Sequence, residues 1–265
     1  MAIDPHASPL SVASRRQATQ GRGIGVLLSH GFTGSPFSIR PWAESLAAHG
    51  YAVEVPRLPG HGTTWQELNR TTWQDWSAEI TRAFDKLRAE NDAVVVGGLS
   101  MGAGLVLRLA ADRADEIAGI VVVNPAVNTE RKDVKLLPLL KHVVPAFPGI
   151  VNDIKKPGVD EHGYPKTPLR AADSMFKGYS ALCQDLARIT APMLVFRSVE
   201  DHVVDPSSSR IISSSVSSRD YTERLLENSY HVATLDNDAD AIFAESADFV
   251  ARVTAGGTPS APRDA

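Results

Sequence analysis

The chain has 265 residues, 43% of them hydrophobic, and a formal charge of −4 spread in mixed sign, enough apolar material for one large core. No basic patch with interleaved aromatics occurs, which argues against nucleic-acid binding, and no apolar run reaches the ~18 residues of a membrane span or forms a signal-peptide core. The single cysteine, Cys183, excludes an internal disulfide and suits a reducing cytoplasm; no Cys/His cluster has metal-ligand spacing, so neither metal nor cofactor is expected.

Residues 1–21 carry little regular pattern and are predicted to be weakly structured. The run Gly23-Ile24-Gly25-Val26-Leu27-Leu28-Ser29 reads as a buried strand. Ser35 and Pro36 open a helix that His49-Gly50 ends, and residues 51–55 form the next strand. Thr72-Trp73-Gln74-Asp75 has the form of a capping box; the helix behind it puts Trp76, Ile80, Phe84 and Leu87 on one face. A strand over 93–97, a helix including 105–111 and a strand over 117–123 follow. Apolar strands separated by helices imply a parallel sheet covered on both faces.

The rhythm stops after Asn124-Pro125 and resumes at Pro192-Met193. A structureless loop of that length would be unusual inside a compact domain, so residues 126–188 are predicted to be an inserted cap, or lid, over the carboxyl edge of the sheet. The core is then 22–125 and 189–253. Within the insertion, Leu136, Leu139, Leu140, Val143, Phe147 and Ile150 are candidate substrate-binding side chains, in a stretch too broken by prolines to be a membrane helix. Met175, Phe176 and Tyr179, at helical spacing, read as core. Strands over 193–197 and 221–226 and a helix over 238–250 complete the pattern. Residues 254–265 have the composition of a disordered tail. The serine runs at 207–209 and 213–215 fall in a predicted surface helix and receive no function.

Chemistry concentrates at Gly98-Leu99-Ser100-Met101-Gly102, between a strand and a helix. Such a turn holds a serine hydroxyl up at the sheet edge, while its glycines let helix and strand approach. A serine hydroxyl needs a histidine to take its proton and a carboxylate to orient that histidine. In folds with this turn the chain order is serine, acid, histidine. Of the eight histidines, His6, His30, His49 and His61 precede Ser100, and His142 and His162 precede the best acid; His202 and His231 remain. His231 follows a strand and precedes a helix. The acid belongs in the loop after strand 193–197, where Asp201 lies at the turn; Asp205, before Pro206, suits a helix cap, and Glu200 suits solvent. His202, adjacent to Asp201, points elsewhere on an extended backbone. The oxyanion donors are predicted to be the backbone N–H groups of Met101 and Phe32. The His30 imidazole is expected to bond backbone only.

His30-Gly31-Phe32-Thr33-Gly34, Leu58-Pro59-Gly60-His61-Gly62, the Ser100 turn, Asp201 and His231 together resemble the α/β-hydrolase superfamily, and within it the bacterial carboxylesterase and monoacylglycerol lipase group, over residues 22–253. The resemblance implies an α/β-hydrolase fold: a mostly parallel central sheet, helices on both faces and an inserted lid. It implies a serine ester hydrolase acting on monoacylglycerols or similar small carboxylic esters, with transient lipid-interface contact through the cap. It makes the Pro59-Gly60-His61-Gly62 turn structural. Ala103 stands where these enzymes often carry a second glycine, which implies local tightening without loss of function. A perhydrolase, C–C hydrolase or thioesterase would use the same three residues, and a slow-turnover ligand sensor would keep the fold. Haloalkane dehalogenases and epoxide hydrolases need an aspartate where Ser100 stands. An unperturbed imidazole base would set an acid limb near pH ~6.5.

Overall fold

The computed structural model describes residues 3–15 and 23–255. Residues 1–2 and 16–21 of the N-terminal segment, residue 22, and 256–265 of the expected tail lie outside the described residues.

A seven-stranded sheet forms the centre, built from β1 (Leu10–Val12), β2 (Gly23–Ser29), β3 (Ala52–Val55), β4 (Asn91–Leu99), β5 (Gly119–Val123), β8 (Met193–Ser198) and β9 (Tyr221–Leu226). Their spatial order is β1-β3-β2-β4-β5-β8-β9. Only β1, at the edge, runs antiparallel to its neighbour. Two apolar layers sandwich the sheet, and alternate residues of each strand feed one or the other. Val94 and Val96 join α3 (Trp73–Glu90) and α4 (Met101–Asp112) on one face; Val95 and Leu99 join α1 (Arg40–Ala48) and α8 (Ala239–Thr254) on the other. This is why the central strands read as unbroken apolar runs: both faces are covered.

Local signals account for the helix boundaries. The Thr72 capping box is formed in both directions and starts α3. The helix predicted from Ser35 is instead a 3-10 turn, Pro36–Ile39, followed by α1. Proline lies in the first turn of each piece, where its missing N–H costs no intrahelical bond, so the two short starts are both tolerated.

Between β5 and β8 the chain leaves the sheet. This inserted segment contains α5 (Leu137–Leu140), a small antiparallel pair β6 (Ala146–Pro148) and β7 (Lys166–Pro168), and α6 (Leu169–Asp185). It is fastened to core loops. The Tyr164 N–H donates to the Thr33 carbonyl at 3.0 Å, the Tyr164 hydroxyl donates to the Gly60 carbonyl at 3.0 Å, and the Thr63 N–H donates to that hydroxyl at 2.6 Å.

Candidate active site

Ser100 stands between the last residue of β4 and the first of α4, with φ 57° and ψ −121°. A non-glycine residue there is strained by about 1–3 kcal/mol and persists only if its surroundings dictate it. They do: its N–H donates to the Val123 carbonyl at 3.0 Å, and its carbonyl accepts from Ala103 at 3.0 Å and Ala126 at 3.2 Å. The flanking glycines are compulsory. A Cβ on Gly102 would lie 2.2 Å from the Ser29 carbonyl oxygen, and one on Gly98 would lie 2.5 Å from the Gly102 carbonyl carbon. The neighbouring Ala103 is fully buried in the core.

Asp201 follows β8. Its Oδ1 accepts the N–H groups of Val203 and Val204, each at 2.8 Å, which fixes the loop, and its Oδ2 lies 2.9 Å from Nδ1 of His231. Burial opposes the charge on Asp201, yet His231 and the two amides outweigh it and hold the carboxyl below the usual carboxylate range. An ionised carboxylate only accepts, so Nδ1 carries the proton and Nε2 is the basic nitrogen. For His231 too, burial works against the cation, but Asp201, Glu161 and Asp153 prevail and raise its pKa above the ordinary histidine value. An acid limb set by an unperturbed imidazole is therefore corrected upward.

Two residues that the sequence left unmarked hold the His231 backbone. The Asn124 amide, at the end of β5 with φ 44°, donates to the His231 carbonyl at 2.8 Å and to Ser198 Oγ at 3.0 Å. Asp153 of the inserted segment accepts the His231 N–H at 3.2 Å. Asparagine tolerates the left-handed region, which was the one available hint at Asn124; Asp153 offered none. Asp205 accepts the Ser207 N–H at 3.0 Å, consistent with a helix start, while Glu200 is exposed. Half-exposed His202 bonds Asp153 through Nδ1 at 2.7 Å.

Ser100 and His231 line one cavity of about 250 Å³, together with Gly31, Phe32, Thr33 and Met101. The Met101 N–H sits at the positive end of the twelve-residue α4, and Phe32 is carried by the loop after β2. His30 serves that loop structurally: its Nδ1 is 3.0 Å from the Gly31 carbonyl and its Nε2 accepts the Leu58 N–H at 3.2 Å.

The opposite walls come from the inserted segment. Of the six apolar side chains singled out there, Leu140, Phe147 and Ile150 line the cavity. Leu136, Leu139 and Val143 do not; they are 53%, 73% and 77% exposed. Helical periodicity cannot separate a wall from an outer face when the segment has apolar residues on both. Met175, Phe176 and Tyr179, read from sequence as core, pack against the core and also face the cavity. Asp153 and Glu161 also line the cavity, and burial raises the pKa of the Glu161 carboxyl. The serine run at 207–209 is structural: Ser208 Oγ accepts the N–H groups of Val127 and Asn128 at 3.2 and 3.1 Å, pinning the exit of the sheet to α7 (Ser207–Ser215).

Among the described residues no group of three or more His, Cys, Asp or Glu could hold a metal ion, and no helix is long and apolar enough to cross a membrane. A family model described as serine aminopeptidase, S33 (Hydrolase_4) matches residues 22–238. A thermostable monoacylglycerol lipase from Bacillus sp. (strain H-257) is 41% identical over 236 residues, covering 86% of this chain and 91% of that protein. A carboxylesterase from Bacillus subtilis (strain 168) is 26% identical over 237 residues, covering 88% and 95%. A solved structure from the metagenome-derived lipolytic enzymes LipS and LipT superposes with a TM-score of 0.89 at 39% identity, covering 95% of this chain and all of the other.

Proposed function

The chain belongs to the serine aminopeptidase, S33 family and is a carboxylic ester hydrolase of α/β-hydrolase fold, and on that premise we propose that it cleaves monoacylglycerols to glycerol and fatty acid. One observation carries the reading. A histidine whose Nδ1 is bound to an ionised aspartate shares an apolar-walled cavity with a serine on a strained strand–helix turn.

In this mechanism His231 Nε2 takes the Ser100 proton as Oγ attacks the ester carbonyl. The amides of Phe32 and Met101 hold the oxyanion; each such donor is worth about 2.7–4 kcal/mol in the transition state. His231 then protonates the departing glycerol oxygen. Water, activated by the same nitrogen, releases the acid and restores Ser100. Asp201 stays ionised throughout and stabilises the imidazolium. The acyl chain lies against Leu137, Leu140, Phe147, Ile150, Met175 and Phe176, where each buried CH₂ contributes about 0.8 kcal/mol. Glu161, which lines the same cavity, offers acceptor oxygens to the glycerol hydroxyls.

The inserted segment acts as the cap, and its exposed Leu136, Leu139 and Val143 touch the lipid aggregate that supplies the substrate. The free, partly buried Cys183 fits a cytoplasmic setting. The test is a rate series over monoacylglycerols of graded chain length, with a diacylglycerol and an acyl-CoA as competitors, and fluorophosphonate labelling of wild type and Ser100→Ala. Monoacylglycerol preference with labelling lost in Ser100→Ala supports the reading. Acyl-CoA preference would replace it with a thioesterase, and persistent labelling would move the nucleophile elsewhere.

A further inference from the structure

We propose that Asp153, carried by the inserted segment, is a positioning residue for this reaction: its carboxylate ties the loop holding Asp201 to the loop holding His231. The inference rests on the assignment of Ser100, Asp201 and His231 to the chemistry. Asp153 is only 9% exposed, and both its carboxylate oxygens and its main-chain carbonyl are engaged. Oδ1 is 2.7 Å from His202 Nδ1; Oδ2 accepts the His202 N–H at 3.1 Å and the His231 N–H at 3.2 Å; the main-chain carbonyl accepts the Val232 N–H at 3.0 Å. His202 is the next residue after Asp201, and His231 is the base itself. One side chain therefore spans the two loops whose spacing sets the Asp201–His231 contact, and it comes from neither of them.

The segment around Asp153 is anchored without that carboxylate. Asn152 and Glu161 exchange hydrogen bonds, N–H of each to a side-chain oxygen of the other, at 2.9 Å. The N–H groups of Lys155 and Lys156 donate to the Asp236 carboxylate at 2.7 and 2.8 Å, and that carboxylate also accepts the Tyr230 N–H at 2.8 Å. Removing the Asp153 carboxylate thus leaves the segment docked and takes away only the bridge. Because Phe147, Ile150 and Glu161 of the same segment line the cavity, a substrate pressing on those walls and the alignment of the base act through one piece of chain.

The bridge also has an electrostatic face. His231 is surrounded by Asp201, Glu161 and Asp153, and His202 by Asp153, Glu200 and Asp201. Asp153 favours the imidazolium, so neutralising it moves the acid limb of kcat/KM to lower pH.

The experiment measures kcat and KM for p-nitrophenyl butyrate from about pH 5.5 to 9 in wild type, Asp153→Asn, Asp153→Ala and His202→Gln, with rates normalised to fluorophosphonate-labelled Ser100. Misalignment of a base by a fraction of an ångström to an ångström costs up to about a hundredfold, so kcat should fall roughly ten- to a hundredfold in Asp153→Ala with KM for this short ester within about twofold. Asp153→Asn, whose amide oxygen still accepts one N–H, should recover part of that loss while its acid limb stays displaced. His202→Gln, which removes the Nδ1 contact and leaves the His202 N–H on Asp153 Oδ2, should lose less than Asp153→Ala. A kcat per labelled serine and an acid limb that both match wild type in Asp153→Asn and Asp153→Ala would overturn the proposal and leave Asp153 a fold residue. Failure of the underlying assignment gives a different pattern, an inactive wild type or labelling that survives Ser100→Ala.

Discussion

Asp201 and His231 behave as a coupled unit, and their proton equilibria set the first expectation. Acting as base requires neutral Nε2, and the raised His231 pKa means the inactive imidazolium persists to a higher pH than in a free histidine. Esterase kcat/KM should therefore fall as pH drops through a value above the ordinary ~6.5, with the active form present on the alkaline side. Asp201→Asn removes the charge that raises that pKa and permits the wrong tautomer, so its limb should move to lower pH and kcat should drop by about four orders of magnitude. A pH–rate series on both proteins checks this, and a flat wild-type profile from about pH 5 to 8 would remove His231 as base. The turn around Ser100 was legible because its demands are local: glycine, serine and glycine must occupy adjacent turns of backbone. Asp201 could be chosen over Glu200 and Asp205 for the same reason, since two valines follow it at the turn. Asn124 and Asp153 could not, because their partner His231 lies 107 and 78 residues away and neither residue has a local pattern that announces the contact.

Strands and helices followed periodicity wherever burial is two-sided or one-sided, as in β4 and α3. The inserted segment did not, because short elements such as β6 and β7 are held by pairing with each other and by tertiary anchors instead of by their own pattern. Tyr164 is the anchor most easily tested. Its hydroxyl accepts from Thr63 and donates to the Gly60 carbonyl, joining the segment to the turn that follows β3. Tyr164→Phe leaves the ring in place and strands the Thr63 N–H, a loss of about 1–3 kcal/mol where the group stays buried. A thermal melt should show Tm lower by a few degrees, as about 2–4 °C per kcal/mol is typical at this size. The rate on a long-chain monoacylglycerol should fall more than on p-nitrophenyl butyrate, because only the long chain needs the segment seated. Equal effects on both substrates would mean that the anchor serves stability alone.

At the scale of the whole molecule, acid should weaken the fold before most carboxylates titrate. His30, in the loop that carries Phe32, and His61 are both wholly buried, with ring centroids 5.0 Å apart. Burial lowers the His30 pKa to about 4, and burial together with His30 lowers that of His61 well below the ordinary value. Both are neutral when folded and become protonated near pH ~6.5 when unfolded, so the unfolded chain binds more protons throughout the interval between. Stability is thus lost as pH falls from about 6.5 through 4, and His30 alone accounts for about 3 kcal/mol of that loss. His231 is displaced the other way. Its contribution is complete below its unfolded value and is lost as pH rises through the folded one, so it cannot produce or offset the slope in the acid interval. Urea midpoints at about pH 6.5 and 4.5, both outside the interval in which His231 contributes a slope, should differ clearly in wild type and by less in His30→Gln, although that variant is less stable at neutral pH. Two acid effects then separate by reversibility: inactivation through His231 recovers at once on neutralisation, whereas inactivation through His30 and His61 follows the refolding of the chain. Equal midpoints at both pH values in wild type would show that neither buried imidazole is forced to stay neutral by the fold.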